Sequence, residues 1–449
     1  MPNRHFRLAE ILGALSHALD LTEGQPKGHC VRCCWIGVKM GEALNLKPEE
    51  ISDLYYTLLL KDLGCSSNAA RICELYLADD LAFKKDFKRI DGSLPQALRF
   101  VLGHTGLEKG LAERFRAIVS ILKNGGEISR ELIEARCHRG ADIARQMRFS
   151  EAVCAGIENL DEHWDGRGKP AGKSGRSIPV FAQIALIAQV ADVFHVAGGP
   201  ELALKEIRNR AGSWFEPGLI WILEAVASDE EFWPALHDPR LIDRVIALEP
   251  ALTLRIADEN YIDGIATGFA KVIDSKSPFT SGHSERVSVF TDLIAEELGY
   301  DSEQRRILRR AALLHDIGKL AVSNTILDKP GKLTDEEFAA VKMHPVHSAE
   351  ILRGVSLFEA IALIAEGHHE RLDGRGYPHG LKGDAIGRDT RIVTVADIFD
   401  ALTADRPYRK AMTVSQALAI LDKDVGTAVD GDCVTALKRA LARAELQAA

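Results

Sequence analysis

Along most of the chain apolar residues return every three or four positions, and strand-like alternation is hard to find over more than a few residues. That pattern predicts an all-α protein. The opening segment MPNRHFRLAEILGALSHALDL reads as an amphipathic helix broken by charge, without the apolar core and cleavage site of a signal peptide, so cytoplasmic localisation is expected. The most apolar run, Val180 to Ala197, carries Gln183, Gln189, Asp192 and His195, which suits a buried helix and predicts no transmembrane segment.

The helical pattern occurs twice. GHCVRCCWIGVKMGEALNL from Gly28 overlays GHSERVSVFTDLIAEELGY from Gly282 at an offset of 254, which also carries Asp20 onto Asp274 and LLLKDLG onto LLHDIGK. Further on, DGRGKP at Asp165 repeats as DGRGYP at Asp373 at an offset of 208, and VADVF at Val190 repeats as VADIF at Val395 at 205. The fall from 254 to 208 gives the first copy about 46 extra residues between Cys65 and about Ile128, where loop punctuation and a charge run predict a solvated helical excursion. The expected organisation is two tandem helical domains: a first copy at 1–215 with its insertion near 66–128, a helical linker at 216–258 containing the breaker Glu249-Pro250, and a second copy at 259–449.

Composition narrows the classes. With 449 residues, 46% hydrophobic and 27% charged, the chain is globular material for more than one core. A net charge of -9 argues against a nucleic-acid partner, although a local basic pocket can still hold a small anion. Eight cysteines include Cys30, Cys33 and Cys34, but no second CxxC completes a zinc set, so free buried thiols are expected.

The second copy gathers His283, the vicinal pair His315-Asp316, His344, the vicinal pair His368-His369, and Asp397. Burying such pairs costs too much desolvation without a common partner, and a metal is that partner. Adjacent residues diverge by about 100° on a helix, so His315 and Asp316 both reach metal only near a helix end or between two ions. The expected arrangement has Asp316 bridging, His283, His315 and Asp397 on one ion, and His344, His368 and His369 on the other. Imidazole with carboxylate suits iron or manganese rather than structural zinc. Two divalent ions roughly 3.5 to 4 Å apart clamp a phosphate oxygen and share a hydroxide, which is the arrangement for phosphodiester hydrolysis. Lys319, one turn after the His-Asp pair, and Arg406 and Arg409 in DALTADRPYRKA are the expected phosphate donors.

HSERV, LLHDIGKL, KPGKLTDEEF, HP, HHERLDGRGYP, VADIFDAL and RPYRKA, in this order over residues 259 to 425, resemble an HD-GYP domain of the HD phosphohydrolase superfamily. The resemblance implies an all-helical HD core and metal-dependent hydrolysis of a cyclic dinucleotide, cyclic di-GMP first, to pGpG and GMP. It puts metal ligands on the seven residues above, Tyr377 on the guanine side, and Asp400 beside the metals as a further substrate-side residue. Members with a third metal carry a glutamate where this chain has Phe279, so two ions are expected. GGDEF-type cyclases or other signalling proteins are the implied partners, and a homodimer is a further partner that the sequence leaves open. The alternatives are 3′,3′-cyclic GMP-AMP as substrate, or a cyclic-dinucleotide receptor with little turnover.

By the same overlay the first copy keeps His29, Asp62 and Asp192 but has Lys61, Arg136, Leu160 and Asp161 where His315, His344, His368 and His369 stand, and Lys169 for Tyr377. Lys61 is expected to pair with Asp62 and Asp192 and replace the missing cation, leaving this copy metal-free, inactive and available for regulation, dimerisation or scaffolding.

Overall fold

The structure is a computed structural model that describes residues 6–90, 93–107, 109–251, 254–405 and 409–448. Helices dominate, and the two strands among the described residues, Phe6–Arg7 and Ile256–Ala257, form one short antiparallel pair. The chain divides into two compact units, Met1–Tyr261 and Ile262–Ala449.

The segment expected to be a linker folds onto the first unit. Arg7 donates to Glu249 Oε2 at 3.0 Å and to the Ile246 carbonyl at 2.9 Å. Trp35 Nε1 donates to the Phe232 carbonyl at 3.3 Å, and the Arg244 guanidinium lies 4.6 Å from the centre of the Trp35 ring. Glu249, beside the helix-breaking proline, is buried and accepts from the Tyr56 hydroxyl. The breaker therefore ends a docked segment instead of opening a tether.

Each unit is built on the same helices. In the first, His29–Ala43, Pro48–Leu60, Glu151–Glu158 and Val180–Asn209 surround the core; in the second, His283–Glu297, Ser302–Leu314, Glu359–Gly367 and Arg388–Thr403 do so. Val180–Asn209 is long and apolar enough to cross a membrane, but 83% of its most apolar window is buried inside its unit and its backbone breaks at Gly198 and Gly199.

The insertion is not a simple solvated excursion. Its helices Ala69–Tyr76, Asp80–Phe87 and Leu94–His104 pack with the front of the 36-residue helix Leu111–Gln146 around Ile72, Tyr76, Phe83, Phe100, Ile121 and Leu132. This second apolar cluster gives the segment a core of its own.

Two glycines set the geometry of each site. Gly28 and Gly282 take φ of 87° and 68°, a left-handed turn that starts the helices at His29 and His283. The buried Asp20 and Asp274 accept from the first amide groups of those helices, Asp20 from Gly28 at 2.7 Å and Cys30 at 2.8 Å, Asp274 from Ser284 at 3.2 Å. Gly64 and Gly318 allow a close crossing: a Cβ on Gly318 would lie 2.0 Å from the His344 carbonyl oxygen, and one on Gly64 1.8 Å from that of Arg136.

Candidate metal centre

The seven residues converge in the second unit. His315 follows the last turn of Ser302–Leu314, Asp316 opens the next short helix, His344 starts His344–Leu352, and His368 and His369 follow Glu359–Gly367. Asp397 lies within Arg388–Thr403. The His-Asp pair thus sits at the helix end that its divergent side chains require.

Asp316 stands between two groups. Its Oδ2 faces His315 Nε2 at 3.3 Å and His283 Nε2 at 3.5 Å, while its Oδ1 faces His344 Nε2 at 3.2 Å and His368 Nε2 at 3.6 Å. Asp397 Oδ1 lies 3.3 Å from His283 Nε2 and 3.9 Å from His315 Nε2. Potential ligand atoms of His283, His315 and Asp397 lie within 4.8 Å of one another, and so do those of His344, His368 and His369.

The proton positions leave these atoms open. Nδ1 of His315, His344 and His368 donates to the carbonyls of Ala312, Val341 and Ala365 at 2.6, 2.7 and 2.6 Å, so each ring turns its Nε2 inward. His344 Nε2 and His368 Nε2 face each other at 3.3 Å. His283 Nε2, His315 Nε2 and Asp316 Oδ1 are buried without a hydrogen-bond partner among the described residues. Such orphaned groups are costly unless a cation lies among them, and the imidazole and carboxylate donors fit metal ions.

The two imidazole sets differ electrostatically: burial by itself would lower His283 and His315, but the carboxylates facing them, Asp316 above all, raise both. Burial by itself would raise the Asp316 carboxyl, but His315 and Lys319 beside it hold it well below the usual carboxylate range. Burial lowers His344 to about 4, and burial with His368 alongside drives His369 well below its ordinary value, so both imidazoles are neutral and ready to ligate.

The other expected residues divide. Lys319 Nζ reaches Asp316 Oδ2 at 2.5 Å, at the open edge of the site. Tyr377 lies against His369, ring centres 4.8 Å apart, and edge-on to Phe338 at 6.2 Å; Phe338 and Lys342, which lies over the Phe338 ring, were not identified from the sequence. Asp400 is no substrate-side residue: it is buried behind His283, 2.7 Å from Nδ1, and accepts from Arg286 at 2.6 Å. Arg409 does not point at the ligand cluster. Its guanidinium donates to the carbonyls of Ala401 and Leu402 at 2.6 and 2.9 Å, where a helix end leaves acceptors unsatisfied and favours a cation. Arg406 lies outside the described residues. Glu370, unassigned from the sequence, holds the DGRGYP turn by accepting from the amides of His379 and Leu381 at 2.7 and 2.9 Å.

In the first unit, ammonium groups stand among the corresponding atoms. Lys61 Nζ bonds to Asp62 Oδ2, to Gln189 Oε1 at 3.1 Å and lies 3.0 Å from His29 Nε2. Asp192 is not its partner. It lies 2.6 Å from His29 Nδ1 and accepts from Arg32 at 2.5 Å, which is the role of Asp400 with His283 and Arg286. The offset of 208 therefore continues through this helix: Asp192 matches Asp400, and Gln189 matches Asp397. The repeated V-A-D-x-F string misleads by three residues, close to one helical turn, so the hydrophobic face barely changes. Arg136, at the His344 position, pairs with Asp161, at the His369 position. Only His29 and Asp62 survive of the seven. His29, Cys33 and Asp192 also lie close enough to share an ion, but the pairing of Asp192 with His29 and Arg32 already occupies its oxygens. All eight cysteines are free and seven are buried.

Comparison with known proteins agrees with this architecture. The HD domain family model matches residues 116–219 and 268–433, one stretch in each unit. The chain is 52% identical over 436 residues to the 3′3′-cGAMP-specific phosphodiesterase 3 of Vibrio cholerae, covering 97% of this chain and 95% of that protein. A crystal structure of a cyclic GMP-AMP-specific phosphodiesterase from V. cholerae superposes with a TM-score of 0.67 at 46% identity, over 97% of this chain and 98% of that one. The cyclic di-GMP phosphodiesterase response regulator RpfG of Xanthomonas campestris is 47% identical over 178 residues, 39% of this chain and 47% of its own length. Two helical units with His-Asp helix ends, one complete and one degenerate, and these relatives lead to one assignment: the chain belongs to the HD domain family, as one of its HD-GYP members.

Proposed function

We propose that the second unit binds two divalent metal ions and hydrolyses a cyclic dinucleotide, 3′,3′-cyclic GMP-AMP in preference to the cyclic di-GMP that the motifs alone suggest. One observation carries the metal-dependent reading: Asp316 turns each of its two buried oxygens toward a separate set of imidazoles. His283, His315, Asp397 and Asp316 Oδ2 would hold one ion, and His344, His368, His369 and Asp316 Oδ1 the other. Ions bound there supply Lewis-acid contacts to a phosphate and lower the pKa of water.

The protein's own side chains do the rest. Lys319, anchored on Asp316, adds positive charge at the open edge where a phosphate arrives. Tyr377 and Phe338 offer aromatic faces against which a base stacks. The substrate choice rests on similarity: the relative that matches almost the whole chain carries the cyclic GMP-AMP name, whereas the relative named for cyclic di-GMP matches 39% of the chain.

The test is to purify the full chain without oxygen, load it with iron or manganese, and follow both cyclic dinucleotides by chromatography beside Asp316→Ala. Linear product from cyclic GMP-AMP at least ten times faster than from cyclic di-GMP, absent in the variant, is expected. Faster turnover of cyclic di-GMP overturns the substrate assignment, and turnover that survives Asp316→Ala overturns the metal centre.

A further inference from the structure

The degenerate first unit contains a cavity of about 500 Å³, large enough for a nucleotide. Arg136, Asp161 and Gln189 line it, and these are the positions of His344, His369 and Asp397 in the second unit; Lys169, at the position of Tyr377, lines it as well. The cavity is thus the counterpart of the catalytic pocket, with the Arg136–Asp161 ion pair and the Gln189 amide at three of its metal positions. The inserted segment forms the other wall through Tyr76, Phe83 and Phe87.

Its chemistry is that of an anion and base receptor. Six cationic side chains face three carboxylates around the wall. Most of this charge is spent internally: Lys88 binds Glu23 at 2.8 Å, Arg136 binds Asp161, Arg167 binds Asp165 at 2.5 Å, and Arg210 binds Glu206 at 2.6 Å. Lys84 is spent as well, its buried ammonium on the carbonyls of Cys65 and Thr22 at 2.6 and 3.1 Å and 3.9 Å from the buried Asp80 carboxylate, whereas Lys169, half-buried, has no carboxylate at ion-pair distance among the described residues. Beside them Trp214 stacks on His163 with ring centres 4.2 Å apart, and the Arg210 guanidinium sits 5.0 Å from the Trp214 ring centre. Burial drives His163 down to about 4, so this ring is neutral and aromatic at neutral pH.

We propose that this cavity binds a nucleotide without hydrolysing it, the phosphate at Lys169 and the base between the Trp214 wall and the aromatic wall of the insertion. Hydrolysis is excluded by the missing ligands, since five of the seven metal positions hold other side chains. The aromatic walls select a nucleotide over a bare anion. This assignment does not depend on which substrate the second unit turns over.

All five tryptophans, Trp35, Trp164, Trp214, Trp221 and Trp233, lie in the first unit, so intrinsic fluorescence reads that unit alone. The full chain, kept in chelator to stop turnover, is titrated with GMP, cyclic di-GMP, 3′,3′-cyclic GMP-AMP and inorganic phosphate. A saturable emission change with a nucleotide but not with phosphate is expected, with Kd weakened at least tenfold in Lys169→Glu and the change lost in Trp214→Phe. Equilibrium dialysis of Trp214→Phe against labelled nucleotide checks that the site, and not only its reporter, is being read. Tighter binding of GMP makes the ligand a product-like mononucleotide, and tighter binding of a cyclic dinucleotide makes it the substrate; either outcome supports the proposal. No emission change at millimolar nucleotide, an equal response to phosphate, or indifference to Lys169→Glu overturns it.

Discussion

Lys88, carried by the inserted segment, brings its ammonium to 3.7 Å from Asp62 Oδ1 while Lys61 holds Oδ2. In the second unit the two oxygens of Asp316 face two imidazole sets; in the first, the two oxygens of Asp62 face two ammonium groups. The first unit is therefore neutralised without metal, and the chain is expected to bind two iron or manganese ions, not four, by metal analysis after loading. Lys61→Met should leave that stoichiometry and the hydrolytic rate unchanged. It should also remove about 1–3 kcal/mol of stability, because Asp62 loses one of its two ammonium partners and keeps Lys88, read as a lower urea midpoint by tryptophan emission. A third bound ion in Lys61→Met, or lost activity, would contradict this account.

The buried Asp400, held by the half-exposed Arg286, backs His283 and fixes which nitrogen faces the site. Asp400→Asn keeps the shape but presents an amide to Nδ1 and removes the charge that favours the Nδ1–H form. Metal affinity is expected to fall about 10–100-fold, with the metal content at saturation unchanged. Competitive chelator titration measures this, and an unchanged affinity would make Asp400 a purely structural partner of Arg286.

The convergence of His283, His315, Asp316, His344, His368, His369 and Asp397 was legible in the sequence because vicinal His-His and His-Asp pairs at helix ends have few structural uses. Asp400 was not legible as an orienting group, because an aspartate one turn after a ligand looks like another site residue until its partners are seen. Arg409 was misread for the opposite reason: its basic motif gives no sign that a helix end takes up its donors. The docked segment at 216–258 and the core of the insertion depend on contacts between positions far apart in the chain, such as Arg7 with Glu249, which local periodicity does not encode.

Histidines of the first unit give its stability a definite pH dependence. Burial lowers His163 to about 4, and burial together with Lys61 lowers His29. A lowered histidine binds fewer protons folded than unfolded, so its contribution is complete above the unfolded value near 6.5 and is lost as pH falls toward the folded one. Urea unfolding followed by tryptophan emission is expected to show a midpoint that falls from pH 7 to pH 4, by a total of about 1–3 kcal/mol. His163→Phe should flatten part of that slope; a midpoint that rises on acidification would reverse the sign and exclude the mechanism.

Gly318 separates packing from ligation in a single methyl group. A Cβ there would sit 2.0 Å from the His344 carbonyl oxygen and 2.6 Å from the Ser348 nitrogen, both backbone atoms that cannot swing aside. The helix His344–Leu352 must move, and it carries His344 at its first position together with Ser348, whose hydroxyl donates to the His315 carbonyl at 2.8 Å and accepts from the Gly318 amide at 2.9 Å. Gly318→Ala is therefore expected to destabilise the second unit by about 1–3 kcal/mol or more and to weaken the ion on the His344 side more than the ion on the His283 side. Gly64→Ala makes the same clash against Arg136 in the first unit, where no ion depends on the crossing. It should lower stability by a similar amount with metal content intact. Calorimetry with metal analysis on the two variants reads both quantities, and equal metal loss in the two would show that the glycines serve the fold alone.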